Sequence, residues 1–165
     1  MLKGYFSAKI AAEFTPPKTW ALQKPLSFMT WLLGDEEVAL LGRVGANASF
    51  HNDESLDANR PKPLGKITCN AGMETDLASV PRAVWAVISP WDVARAAVIH
   101  DHLYATLRKY SGSDGADKGE WRAARKLSDN VFLWGMQSAD PPIPAYKVWS
   151  AYWAVRIFGR WPARS

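Results

Sequence analysis

The sequence predicts an α+β fold: a small antiparallel sheet in the N-terminal part, packed with a three-helix unit that follows it. Two observations lead there. Up to about residue 75, short runs of aromatic and β-branched residues alternate with Pro, Gly and Asn, the pattern of strands and turns. From Ser79 onward, apolar residues recur every three to four positions and helix caps stand at the expected places. With 165 residues and no internal repeat, one domain over 1–165 is the expectation.

The elements follow in order. "KTWALQKPLSFMTWLL" reads as two neighbouring strands with a turn at Lys24-Pro25, because Pro cannot donate to a ladder. "EEVALLGRV" reads as a third strand ending at Gly42 or Gly45. Residues 46–63 are polar, carry two Pro, and read as an exposed loop. "GKITCNAG" gives one more strand, closed by Asn70-Ala71-Gly72. Pro81 suits a first helical turn ahead of "AVWAVI". "SPWD" then offers a capping box, with Ser89 as N-cap and Asp92 three residues on, for a helix from Pro90 to Lys109. "SGSDGADKG" ends it, a second helix spans Glu120 to Gln137, and a third runs from Ala145 to Phe158 with Gly159 placed to stop it.

Composition narrows the function. The net charge of +4 and the pI of about 9.3 permit attraction to anionic polymers. Lys and Arg nonetheless form no basic block, so a specific nucleic-acid footprint is not indicated. The single cysteine, Cys69, excludes an internal disulfide and a cysteine-based zinc cluster, and in a strand it reads as a small core residue. The start "MLKGYFSAKIAAEF" lacks the apolar segment of a secretory signal and no long apolar run follows, so the expectation is a soluble chain made in the cytoplasm. Nine Trp are many for this length; most belong to the core, and some are candidates for a contact surface.

The chemistry concentrates in "VIHDHLY". At helical spacing, His100 shares the inward face with Ala96, Ala97, Leu103, Tyr104 and Leu107. Asp101 lies one step round, and His102 points elsewhere and is expected to be exposed. A histidine on an apolar face is commonly a satisfied core residue. Here the two alanines one turn earlier leave room for an approaching group, and a neighbouring carboxylate is costly to bury unpaired. The next helix carries Asp129 beside Phe132, Leu133 and Met136. If the two helices pack antiparallel, Asp129 can accept the ring N–H of His100 and orient it. The alternative partner for Asp129 is a basic group, Arg125 or Arg82.

The run "GMETDLASVPR" is polar yet lies between a strand and an apolar helix. Asp76 can ligate a hard metal, serve as a base, or bond backbone N–H groups in a turn. Ser79 lacks a nucleophile elbow and reads better as a helix cap than as a nucleophile. Arg82 in a first helical turn runs against the macrodipole, which calls for an anionic partner: Asp76, Asp101, Asp129, or a substrate phosphate or carboxylate.

Two resemblances attach to these residues. His-Asp-x-x-Tyr on one helix with an Asp on a following helix resembles the site of secreted phospholipases A2. That likeness implies His100 as water-activating base, Asp101 as calcium ligand, Asp129 as orienter of His100, and Tyr104 as hydrogen-bonding partner. The chain departs from that pattern in having no disulfides and no Gly-rich calcium loop. Over about residues 64–160, "AGMETDLASVPRAVW", "AAVIHDHLY", "SDNVF" and "YWAVRIFG" resemble a family of uncharacterised proteins of tailed phages and prophages, with 46–63 looking like an insertion. Its marked positions here are Thr75, Asp76, Ser79, Pro81, Arg82, His100, Asp101, Tyr104 and Asp129. The resemblance implies phage origin and a virion, tail or lysis-associated role.

Two functions are therefore carried forward. One is a virion- or tail-associated module that contacts other phage structural proteins through the helix of Trp149, Tyr152, Trp153 and Phe158 and the basic tail "RIFGRWPARS". The other is a hydrolase acting on a lipid ester or peptidoglycan of the host envelope. In it His100, Asp129, Asp101 and Tyr104 form the catalytic set, and Thr75, Ser79 and Arg82 bind substrate. Asp76 and Asp101 would hold a divalent metal, calcium or magnesium by their hard oxygen donors, or zinc if His102 joins.

Overall fold

The computed structural model describes residues 3–16, 19–52, 63–75 and 90–159, and of residues 90–92 the backbone alone. The fold is α+β. Strands β1 (Tyr5–Phe6), β2 (Ala12–Thr15), β3 (Thr19–Leu22) and β4 (Leu26–Thr30) precede helix α1 (Asp35–Arg43). Strands β5 (Ala48–His51), β6 (Leu64–Cys69) and β7 (Glu74–Thr75) come next, then helices α2 (Pro90–Ser111), α3 (Lys118–Gln137) and α4 (Ala145–Phe158).

The described strands form two antiparallel sheets, β1-β4-β6-β5 and β2-β3-β7. The strands β3 and β4, expected as neighbours, therefore belong to different sheets. The chain crosses from one to the other at Lys24-Pro25, where Pro25 has no N–H to continue a ladder. Just before the crossing, Leu22 exchanges backbone bonds with the chain around β7, taking Gly72 N–H at 2.7 Å and giving its own N–H to Met73 at 2.9 Å. Gly72 sits at φ +83°, a conformation that favours glycine, and this turns the chain out of β6 into β7.

The run "EEVALLGRV" is a helix rather than a strand. A short apolar run does not distinguish the two by period; the cap decides. The Glu37 side chain accepts the Gly34 N–H at 3.0 Å, and Asp35, Glu36 and Glu37 fill the first turn, where the macrodipole favours negative charge. Within the stretch expected as a loop, β5 pairs with β6 as an edge strand of alternating polar and apolar residues; residues 53–62 lie outside the described part. The expected helical turn at Pro81 and the Ser89 cap also lie outside it.

The three C-terminal helices match expectation closely, α4 over Ala145–Phe158 and α2 and α3 within two residues at each described end. Asp117 caps α3 by accepting the Glu120 N–H at 2.7 Å, which starts that helix at Lys118 instead of Glu120. Helix α2 lies between the larger sheet and α3. Its Val98, Ile99 and Leu103 pack with Leu26, Phe28 and Ile67 of the sheet and with Leu127 and Val131 of α3. Its Ala96 and Ala97 pack with Phe132 and Met136 of α3 and with Val148, Ala151 and Val155 of α4. The room left by the small alanines is filled by α3 itself: a Cβ added at Gly135 would stand 3.0 Å from the Ala96 Cβ. No described helix is long and apolar enough to cross a membrane.

Candidate functional site

The close α2–α3 contact determines what Asp129 meets. The inward face of α3 carries Trp121, Ala124, Leu127, Ser128, Val131, Phe132, Gly135 and Met136, all buried, and Asp129 lies among them with no exposed surface. An ionised carboxylate there needs donors. Its Oδ1 accepts the His100 Nε2–H at 3.1 Å and the Tyr104 hydroxyl at 2.7 Å. Its Oδ2 accepts Arg156 Nη1–H at 2.7 Å from the last turn of α4. Burial alone would raise the Asp129 pKa, but the bonds from His100, Tyr104 and Arg156 outweigh it and hold the carboxyl below its ordinary value. Asp129 is an anion held by three donors, His100, Tyr104 and Arg156.

Both readings of Asp129 are thus met at once. It takes the ring N–H of His100, and it has a basic partner, although that partner is Arg156 rather than Arg125. The Arg125 guanidinium instead donates to the Arg156 carbonyl at 2.7 Å, tying α3 to the end of α4. Arg82 lies outside the described residues. Sequence reasoning passed over Arg156 as part of a basic tail. The available signal was a lone Arg between apolar residues in the last turn of a helix with no acidic residue.

His100 is fully buried, its ring 4.1 Å from that of Tyr104 and 4.9 Å from that of Phe132, centroid to centroid. A carboxylate only accepts, so the proton between the two sits on Nε2. In neutral His100 the lone pair is then on Nδ1, and among the described residues Nδ1 has no hydrogen-bond partner. Tyr104 is held as a donor: burial first, and then Asp129, push its pKa well above the ordinary tyrosine value. Gly159, expected as a helix stop, has a second role beside it. A Cβ there would collide with the Tyr104 hydroxyl and the Val155 carbonyl.

Asp101 is buried as well, and it accepts a hydrogen bond from the Thr75 hydroxyl at the end of β7. Thr75 thereby joins the smaller sheet to the histidine helix. Asp76, Ser79 and Arg82 lie outside the described residues. His102 is half-buried rather than exposed. Burial first, and the nearby Lys109 second, lower its pKa, and its Nε2 has no partner among the described residues. Two residues on from His100 it faces away from Asp129, so it does not complete a zinc site with His100. Among the described residues no three His, Cys, Asp or Glu side chains gather as metal ligands. Asp129 is already taken by an arginine. Cys69 is buried, its thiol donating toward the Val98 carbonyl at 3.7 Å, and burial pushes its pKa up: it is a core residue, as expected.

The sequence match covers the same ground. Residues 53–155 match the family described as "Protein of unknown function (DUF1353)", which is more than half of the chain. The chain belongs to the DUF1353 family. The matched stretch holds Thr75, His100, Asp101, Tyr104 and Asp129 and stops one residue short of Arg156. It also begins earlier than the resemblance suggested, so the second half of the polar 46–63 stretch falls within the DUF1353 match. Comparison with curated proteins and with solved structures found no match.

Proposed function

We propose that this chain is a hydrolase of phage origin in which His100 is the general base, acting on an ester or amide of the host envelope. The observation that carries the reading is the asymmetry of the His100 ring: Nε2 anchored on Asp129, and Nδ1 buried without a partner among the described residues. Leaving a buried polar atom unbonded costs about 1–3 kcal/mol, and a catalytic role is one reason a fold keeps such an atom.

The chemistry follows from that ring. Nδ1 takes a proton from water as the water oxygen attacks the carbonyl carbon, and returns it to the leaving oxygen or nitrogen as the tetrahedral intermediate collapses. Asp129 keeps the ring oriented and in one tautomer throughout. Because Arg156 already pairs with Oδ2, part of the carboxylate charge is spent before an imidazolium forms, so Asp129 is first a positioning residue. Thr75 bonds Asp101, the residue that follows His100 on α2, and so ties the smaller sheet to the helix that carries the base.

The test is a panel of acyl esters of graded chain length, phospholipid vesicles and purified peptidoglycan. The expected result is turnover of one class that disappears in His100→Gln and Asp129→Asn. Turnover of none of them by the folded protein, or full activity in His100→Gln, overturns the reading.

A second reading, a virion- or tail-associated structural protein, is favoured by the outer face of α4. There Tyr146, Trp149, Trp153 and Ile157 form a stripe with 64%, 46%, 57% and 64% of their surface exposed. Large exposed apolar patches mark contact surfaces. Finding the chain in purified virions would support this role, and the two readings are compatible.

A further inference from the structure

A groove of about 730 Å³ opens beside the Thr75–Asp101 contact. Its apolar wall comes from separate elements: Ala12 and Trp20 of the smaller sheet, Val98 of α2, and Ile143 with its flanking prolines between α3 and α4. Its size suits a ligand with a medium-length chain, since small-molecule sites run to about 300–1,000 Å³. Three charged residues line it, Lys9, Arg95 and Asp140.

Arg95 is held in place. Its guanidinium lies 5.0 Å from the Phe6 ring centroid, and Nη2 donates to the Asp140 main-chain carbonyl at 3.0 Å. No described carboxylate pairs with it, and the same holds for Lys9. A fixed planar guanidinium with donors to spare, in a groove that a lysine also lines, suits an oxyanion. Asp140, which is exposed, is the one acid among the three and would favour a cationic head, so two cations against one carboxylate leave the balance with an anion.

We propose that this groove binds an amphiphile, an apolar chain laid along Trp20, Val98 and Ile143 with an anionic oxygen group held by Arg95 and Lys9. The occupant then lies against Thr75, whose hydroxyl bonds Asp101, the residue next to His100 in the chain. For the site as a whole this names the substrate class of the proposed hydrolase and rests on that reading; the binding step stands without it.

The experiment is displacement of a fluorescent fatty-acid probe from the full chain. Laurate should displace the probe. Dodecyltrimethylammonium, with the same chain and the opposite charge, should be at least about tenfold weaker, as should laurate on Arg95→Gln, the usual size of a lost bond to a charged group. Acetate and inorganic phosphate should displace nothing, which separates an amphiphile from a bare anion. Ala12→Phe, which fills the groove, should abolish displacement. Equal displacement by laurate and the cationic detergent, or unaltered laurate binding in Ala12→Phe, overturns the proposal. Laurate binding without turnover of any member of the ester, phospholipid and peptidoglycan panel overturns the hydrolase and leaves the groove assignment standing.

Discussion

His100 and His102 stand two residues apart on α2, and each keeps one ring nitrogen without a partner among the described residues, yet only His100 has an acid on the other nitrogen. His100 is fully buried between Tyr104 and Phe132 with one nitrogen on the Asp129 carboxylate. His102 is half-buried, has no carboxylate among its described hydrogen-bond partners, and is pushed toward its neutral form by burial and Lys109. The difference is a rotation of about 200° around the helix. One face of α2 meets α3 and the acid it carries; on the other, the described residues offer His102 no carboxylate. A histidine's chemistry here is decided by which face it occupies, and the HDH motif puts one of its histidines in a site and leaves the other as a flank.

The contrast can be broken hardest at Asp129. Asp129→Ala leaves Arg156, His100 and Tyr104 without their common acceptor, and breaking a buried ion pair in this way costs about 3–5 kcal/mol. The thermal midpoint should fall by roughly 6–20 °C, at about 2–4 °C per kcal/mol for a chain of this size. His102→Ala, by comparison, should move it by no more than a few degrees. If the two variants melt alike, the asymmetry between the faces is wrong.

Gly159→Ala probes the same cluster from α4. Overpacking against the Tyr104 hydroxyl should cost about 1–3 kcal/mol, seen in a chemical-denaturation midpoint, whereas Gly42→Ala, where an added Cβ meets nothing within 4 Å, should not destabilise. Tyr104→Phe removes one donor to Asp129 and should cost about 1–2 kcal/mol.

The pH dependence is smaller and has a defined sign. Asp129 has a depressed pKa, so its contribution is present above the ordinary aspartate pKa of about 3.9 and is lost as pH falls toward its folded value. Tyr104 has a raised pKa, so stability falls as pH rises above about 10, the unfolded value, and Tyr104→Phe should flatten that limb. His102 has a lowered pKa. Its contribution is present above about 6.5 and declines as the pH drops below that, and His102→Gln should remove this smallest step. Denaturant titrations across pH would check all three.

What the sequence made legible is what periodicity controls. The α+β order, the bounds of α4 and the facing of His100, Tyr104 and Asp129 all follow from the 3.6-residue repeat. The strand expectation at "EEVALLGRV" failed because the deciding signal was a cap, with Glu37 bonded back to Gly34, and not the apolar run. The pairing of β3 with β4 failed because sheet membership is set by distant partners, Leu22 with the chain around β7. Arg156 was missed for a related reason. Its contact with Asp129 spans 27 residues and depends on how α4 docks, which no local pattern encodes. His102 kept more burial than its helical position alone implied.

The central claim is that Asp129 fixes His100 with its proton on Nε2 and its lone pair on Nδ1. The most direct measurement is the ring 15N NMR spectrum of uniformly labelled protein above neutral pH, assigned with His100→Gln. The account predicts a protonated Nε2 and an unprotonated Nδ1 for His100, with the tautomers mixing in Asp129→Asn. A protonated Nδ1, or a tautomer indifferent to Asp129, would contradict it.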